Sequence, residues 1–177
     1  MPVVPYLPEN IQEPQDLITA IRARRGGKLL NLDRMLLHSP AFAAGWNGFL
    51  GAVRNSLSVP EKLRELAICA VAVLNDAEYE FIQHAPEFIR AGGRETQLSE
   101  LKRIVASSPD ASEFNEQELA VINLSIEITR KIQVSHTTMQ TIKSSLDNDQ
   151  QLVELVGVIA TYNMVSRYLV ALGIEPE

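Results

Sequence analysis

From Asp149 to Leu172 the chain is apolar nearly all round: Leu152, Val153, Leu155, Val156, Val158, Ile159, Met164, Val165, Leu169 and Val170 leave no continuous polar face. A surface helix carries one apolar stripe, whereas a helix without a polar face needs cover on both sides. Asp149 is a good opening residue and Gly173 a good stop, so the spacing predicts one long terminal helix. The simplest cover for its second side is another copy of the chain. The expected protein is therefore all-α and a homo-oligomer held through apolar helices.

The remaining pattern agrees with an all-α chain, because no strand alternation and no Asn-Gly hairpin is found. Ser39 with Pro40 predicts a helix start, followed by a stripe of Phe42, Trp46, Phe49 and Val53. Ser58-Val59-Pro60-Glu61 reads as a capping box that opens a helix to about Leu74. Asn75-Asp76 breaks it, and Asn75 with Glu78 is expected to cap the next helix, which ends at Gly92-Gly93. A polar helix over about 95–107 and a loop through Pro109 follow. Asn115 with Glu118 opens a helix to about Gln133, and a short one covers about 137–146. Residues 1–14, with four prolines, are expected to form an extended arm; residues 15–177 are read as a single domain with helix groups before and after residue 110 as sub-layers.

Composition narrows the function classes. Sixteen basic against 22 acidic residues leave a net charge of −6, the wrong sign for a nucleic-acid binder. The one basic cluster, Arg22, Arg24, Arg25 and Lys28 around Gly26-Gly27, reads as a helix C-terminus rather than a phosphate site. A single cysteine, Cys69, excludes an internal disulfide and suits a reducing compartment. The N-terminal residues lack a signal-peptide pattern, and the longest apolar run, Leu66 to Leu74, is far short of a membrane span. A cytoplasmic protein without membrane or nucleic-acid partners is expected.

The chemistry-bearing residues gather around Glu78-Tyr79-Glu80-Phe81-Ile82-Gln83-His84. In a helix Glu80 and His84 share a face, and a carboxylate held beside an imidazole can move protons near neutral pH. Tyr79, Phe81, Ile82 and Phe88 are expected to surround the pair, and Pro86 predicts a kink or early break close to His84. The bland alternative is an exposed ion pair worth a few tenths of a kcal/mol. Glu65 stands at the edge of an Ala- and Val-rich helix, where lost hydration makes a carboxyl a better acid or base; equally, it can pair with an arginine such as Arg54. Glu65, Glu80 and His84 offer three metal ligands without an HExxH pattern, so no metal site is predicted. His38 and His136 read as structural, Trp46 as core more than substrate contact, and Arg167 as either a guanidinium at a cavity or a buried ion-pair partner.

In order along the chain, Ser39-Pro40, Leu63-Arg64-Glu65-Leu66-Ala67-Ile68, Tyr79-Glu80-Phe81 with His84, Ala91-Gly92 and Tyr162-Asn163 with Arg167 resemble the carboxymuconolactone decarboxylase family, which includes the alkylhydroperoxidase D-like proteins. The resemblance covers about residues 30–174 and is most specific from Glu65 to Gly92. It implies an all-helical fold assembling into trimers or hexamers, although a dimer also satisfies the apolar helix. In the peroxidase branch a glutamate lies twelve residues before a Cys-x-x-Cys pair and a histidine four residues after it. Here Glu65 lies twelve before Ala77 and His84 four after Glu80, so Ala77 and Glu80 stand where the cysteines would be.

That departure removes the attacking and resolving thiols of two-cysteine peroxide chemistry. Cys69, one turn after Glu65, is left for a one-cysteine route, but it lies in the densest apolar run. The decarboxylase branch, which the resemblance describes as free of cysteine and cofactor, fits better. It implies His84 in proton transfer, Glu80 or Glu65 tuning it, Tyr79 as a hydrogen-bond donor, and Arg167, with Trp46 and Cys69 as weaker contacts, toward a small lactone or keto-acid substrate. The alternatives are a peroxidase relative acting through Cys69 and a non-catalytic binding or assembly protein.

Overall fold

The computed structural model describes residues 1–103 and 112–177. The expected loop through Pro109 and the end of the expected 95–107 helix lie outside the described residues. Among the described residues every regular element is helical. They divide into two compact units, one of residues 1–56 with 169–177 and one of residues 57–168.

The first unit holds α1 (Gln15–Arg24), α2 (Asn31–Leu36) and α3 (Pro40–Asn55). Its core is Ile18, Ile21, Leu32, Met35, Leu36, Trp46, Leu50 and Val53. The stripe expected on α3 is half right. Trp46 and Val53 are buried with Ala43 and Leu50, but Phe42 and Phe49 are 47% and 51% exposed. The buried line is 43, 46, 50, 53, and the two phenylalanines only flank it; Phe42 meets Trp46 edge-on at 5.7 Å. The basic cluster serves the unit itself: Arg24 and Arg25 reach the buried carboxylate of Asp33 at 3.6 and 3.2 Å, and Arg22 donates to the Glu9 carbonyl. The N-terminal arm is tied down within this unit, with Val3 N–H on the Leu172 carbonyl and the Pro5 carbonyl 2.8 Å from His38 Nε2.

The second unit holds α4 (Glu61–Leu74), α5 (Glu78–Arg90), α6 (Glu95–Leu101), α7 (Glu116–Lys131), α8 (His136–Ser145) and α9 (Asp149–Leu172) as far as residue 168. α4 is its hub, touching α5, α6 and α7. An unbroken run from Leu66 to Ala72 is buried, which only a helix enclosed on several sides tolerates. α7 begins with the predicted reciprocal cap: Asn115 Oδ1 accepts from Glu118 N–H at 2.8 Å, and Glu118 Oε2 accepts from Asn115 N–H at 3.0 Å.

Two caps are not as expected. Ser58 does not cap α4; its N–H and hydroxyl, with the Val59 N–H, donate to Glu154 Oε2 of α9 at 2.6, 2.9 and 2.8 Å. One carboxylate oxygen collecting three donors outcompetes the local box, because ionised acceptors make the stronger hydrogen bonds. Asn75 does not cap α5 either, since its amide donates to Asn163 Oδ1 at 3.1 Å. α9 itself is long and apolar enough to cross a membrane by length and composition, although its scattered polar residues keep every unbroken apolar run short. Half of its apolar window is buried within the fold, and Gln151, Asn163 and Ser166 on it are buried and hydrogen-bonded.

Candidate active site

Within the second unit, α4 and α5 run side by side and present their polar residues to each other. The connection is short: Asp76 adopts a positive φ of 54°, and Ala77 N–H bonds back to the Ala72 carbonyl at 2.8 Å. At the far end α5 closes on Gly92, φ 95°, with Gly93 N–H on the Phe88 carbonyl. A side chain at Gly93 has no room, because an added Cβ would stand 2.3 Å from the Phe88 ring. Between these ends the break predicted at Pro86 does not occur, and the helix runs through to Arg90. Pro86 lies on the exposed side with Ile82, so the lost backbone bond falls where water substitutes.

The buried face of α5 carries Tyr79, Glu80, His84 and Phe88. Glu80 and His84 are 2% and 5% exposed, which overturns the reading of them as a solvated surface pair. Phe81 and Ile82 do not surround them. They line a cleft of about 400 Å³ together with Ala72, Val73, Ala77 and Lys102, and Lys102 Nζ stands 5.0 Å from the Phe81 ring centre. None of Glu65, Glu80 and His84 lines that cleft.

The closest polar contact of the site crosses from α5 to α4. His84 Nδ1 lies 2.7 Å from Glu65 Oε2, with both side chains nearly inaccessible. Arg64 Nε donates to the other oxygen of Glu65 at 3.2 Å, so Glu65 has an arginine partner in its sequence neighbour. Burial is the largest influence on the Glu65 carboxyl and opposes its ionisation. The hydrogen bond and charge of His84, with Arg64, together outweigh it and hold the carboxyl below its ordinary value. An ionised carboxylate here orients the ring, with the proton on Nδ1 facing Glu65. The His84 ring also meets Tyr162 of α9 edge-on, centres 4.9 Å apart.

Glu80 reaches α9 as well. Both its oxygens lie within hydrogen-bond distance of Ser166 Oγ, at 3.0 and 3.1 Å. Ser166 is not among the residues expected at the site; a serine inside an apolar helix, 86 positions from its partner, offers no local signal. Cys69 is fully buried, and its thiol is pushed far up by burial first and then by the negative charges of Glu65 and Glu80. Such a thiol is inert. Cys69 in the folded chain is expected not to react with an alkylating reagent and to become fully reactive in denaturant, as a thiol titration would show; fast modification of the folded chain would count against this site.

Arg167 is exposed and bonds to its own helix, at 2.8 Å to the Asn163 carbonyl and 2.7 Å to its side-chain oxygen. Asn163 in turn joins α9 to Asn75 and to Thr129 of α7. Trp46 belongs to the core of the first unit. Among the described residues no group of three His, Cys, Asp or Glu side chains is arranged to hold a metal ion.

Comparison with known proteins bears on the family and the fold. Residues 40–123 match the carboxymuconolactone decarboxylase family. The fold is similar to that of an uncharacterized peroxidase-related protein from Silicibacter, with a TM-score of 0.78 and 14% identity over 99% of this chain and 90% of that one. It is also similar to a Ralstonia eutropha structure described as an alkylhydroperoxidase AhpD core and uncharacterized peroxidase-related protein, with a TM-score of 0.77 and 15% identity over 98% and 91% of the two chains. At these identities the likeness shows the fold alone. None of the curated proteins searched matches the chain.

Proposed function

Starting from a chain that belongs, through residues 40–123, to the carboxymuconolactone decarboxylase family, we propose that the Glu65–His84 pair is the acid/base centre of a cofactor-independent enzyme acting on a small lactone or keto acid. The observation that carries this reading is the buried 2.7 Å contact between Glu65 and His84. It supplies an oriented imidazole whose charged form is stabilised by a carboxylate. In the proposed reaction the bond between the substrate carboxylate and its neighbouring carbon breaks, and carbon dioxide leaves. The electron pair stays on that carbon, conjugated with the adjacent carbonyl, and His84 Nε2–H delivers a proton to it. Glu65 favours the imidazolium before transfer, and water restores the proton afterwards.

Ala77 and Glu80 at the positions of the peroxidase cysteines, with a buried and poorly ionised Cys69, support acid/base over thiol chemistry. The test is carbon dioxide release from carboxymuconolactone and a set of β-keto acids, run beside peroxide consumption with several thiol reductants. Release of carbon dioxide without peroxide consumption supports the reading; peroxide consumption alone contradicts it. Burial of the pair away from the Phe81 cleft favours a second reading, a binding or assembly protein that keeps the pair as a structural tie, and this reading expects neither activity.

The proposed assembly is a homo-oligomer. Val153 and Met164, 72% and 39% exposed, continue with Gly157 and Ala160 along one outer line of α9. A second copy is its proposed cover. Light scattering of the chain is expected to give a multiple of the 19.6 kDa protomer; a monomer at micromolar concentration would contradict this.

A further inference from the structure

The cleft of about 400 Å³ beside the turn from α4 to α5 takes no part in the chemistry proposed above, since Glu65, Glu80 and His84 do not line it. Its volume falls within the roughly 300–1,000 Å³ of small-ligand sites. Two kinds of wall meet in it. Val73 near the end of α4, Ala77 in the turn, and Phe81 and Ile82 on α5 make it apolar, and Ile82 is 45% exposed. Asp76, Glu78 and Lys102 add two carboxylates and one ammonium group.

The local backbone explains how these groups come together. Asp76 takes a positive φ of 54°, a conformation aspartate tolerates better than most residues. The chain therefore reverses over residues 75–77 and puts the Asp76 carboxylate in the same cleft as Glu78, the first residue of α5. Phe81 and Ile82 follow Glu78 by three and four positions, on the same side of the helix. Lys102, directly after α6, brings its Nζ to 5.0 Å from the Phe81 ring centre, where a cation is attracted to the aromatic face. Among the described residues, that ring is the partner of Lys102, and neither Asp76 nor Glu78 is held in an ion pair or a side-chain hydrogen bond. The carbonyl end of α4 and the N–H end of α5 meet at this turn, so the helix dipoles oppose each other and the side-chain charges decide.

Those charges discriminate between ligand classes. A ligand carrying only negative charge would pair with Lys102 but face both carboxylates. One carrying only positive charge would pair with the carboxylates but face Lys102. A molecule that carries both charges on an apolar body finds a complement for each part of the cleft. We propose that the cleft binds a small zwitterion with an apolar body, the class of the apolar α-amino acids. Its ammonium group lies at Asp76 and Glu78, its carboxylate at Lys102, and its side chain against Phe81 and Ile82.

The experiment is calorimetric titration of the full chain with phenylalanine, beside phenethylamine, which lacks the carboxylate, and hydrocinnamate, which lacks the ammonium group. Phenylalanine is expected to bind, and each analogue to bind about tenfold more weakly, the loss of one hydrogen bond between charged groups. Lys102→Met should weaken phenylalanine but not phenethylamine. Asp76→Asn with Glu78→Gln should weaken phenylalanine but not hydrocinnamate, and asparagine keeps the left-handed backbone at position 76. Methyl resonances of Val73 and Ile82 in the wild-type chain should shift on adding phenylalanine. No binding of phenylalanine, an analogue that binds as tightly, or shifts confined to methyls outside the cleft would each overturn the proposal. Absence of carbon dioxide release would count against the proposed enzyme and leave the titration as it is, so the two failures are separable.

Discussion

A His84→Gln chain is expected to lose carbon dioxide release by about 100- to 10,000-fold, the range that one positioned acid or base contributes. Glutamine can still donate to Glu65 but cannot deliver a proton to carbon, so the loss should fall on kcat while KM changes little. The folded state should change less than the rate, because the 2.7 Å contact has a neutral substitute. Equal loss of kcat and of thermal stability would make His84 a structural residue. Ionisation of Glu65 should matter to the same rate through His84: Glu65→Gln leaves Nδ1 facing an amide and removes the negative charge that favours the imidazolium.

Glu65→Ala should have the largest effect on stability. Removing one partner of a buried ion pair costs about 3–5 kcal/mol, and here it takes away the acceptor that Arg64 and His84 share. Chemical denaturation at neutral pH, wild type against variant, measures this directly. The pH dependence follows from the direction of the Glu65 shift. Its carboxyl is held below the ordinary value in the folded chain, so its contribution is fully present above the unfolded value of about 4.3. It is lost as pH falls through the lower folded value. Acid unfolding of the wild type below about pH 4 should therefore include a component that Glu65→Gln lacks. Identical acid limbs for the two proteins would mean that folding does not lower the Glu65 carboxyl.

What can be read from the sequence is what depends on neighbours along the chain. The Asn115–Glu118 box is legible because both its bonds span three residues. The Ser58 box has the same appearance, yet its donors go to Glu154, 96 residues away, and no local pattern distinguishes the two. The α3 stripe fails for a related reason: Phe42 and Phe49 obey helical spacing, but apolarity alone does not say which edge of a stripe is inward. Glu65 and His84 are legible from the family spacing. Their direct contact depends on how α4 and α5 meet, and the Glu80–Ser166 contact on how α5 and α9 meet. Ser166 is the clearest case, since nothing near it in the sequence points to a buried carboxylate.

Acid/base chemistry at His84 and thiol chemistry at Cys69 separate in one assay: carbon dioxide release by the wild-type, Cys69→Ser and His84→Gln chains under identical conditions. The prediction is an undiminished rate in Cys69→Ser and a rate at least about 100-fold lower in His84→Gln. Loss of the activity in Cys69→Ser, or its survival in His84→Gln, would contradict acid/base catalysis by the Glu65–His84 pair.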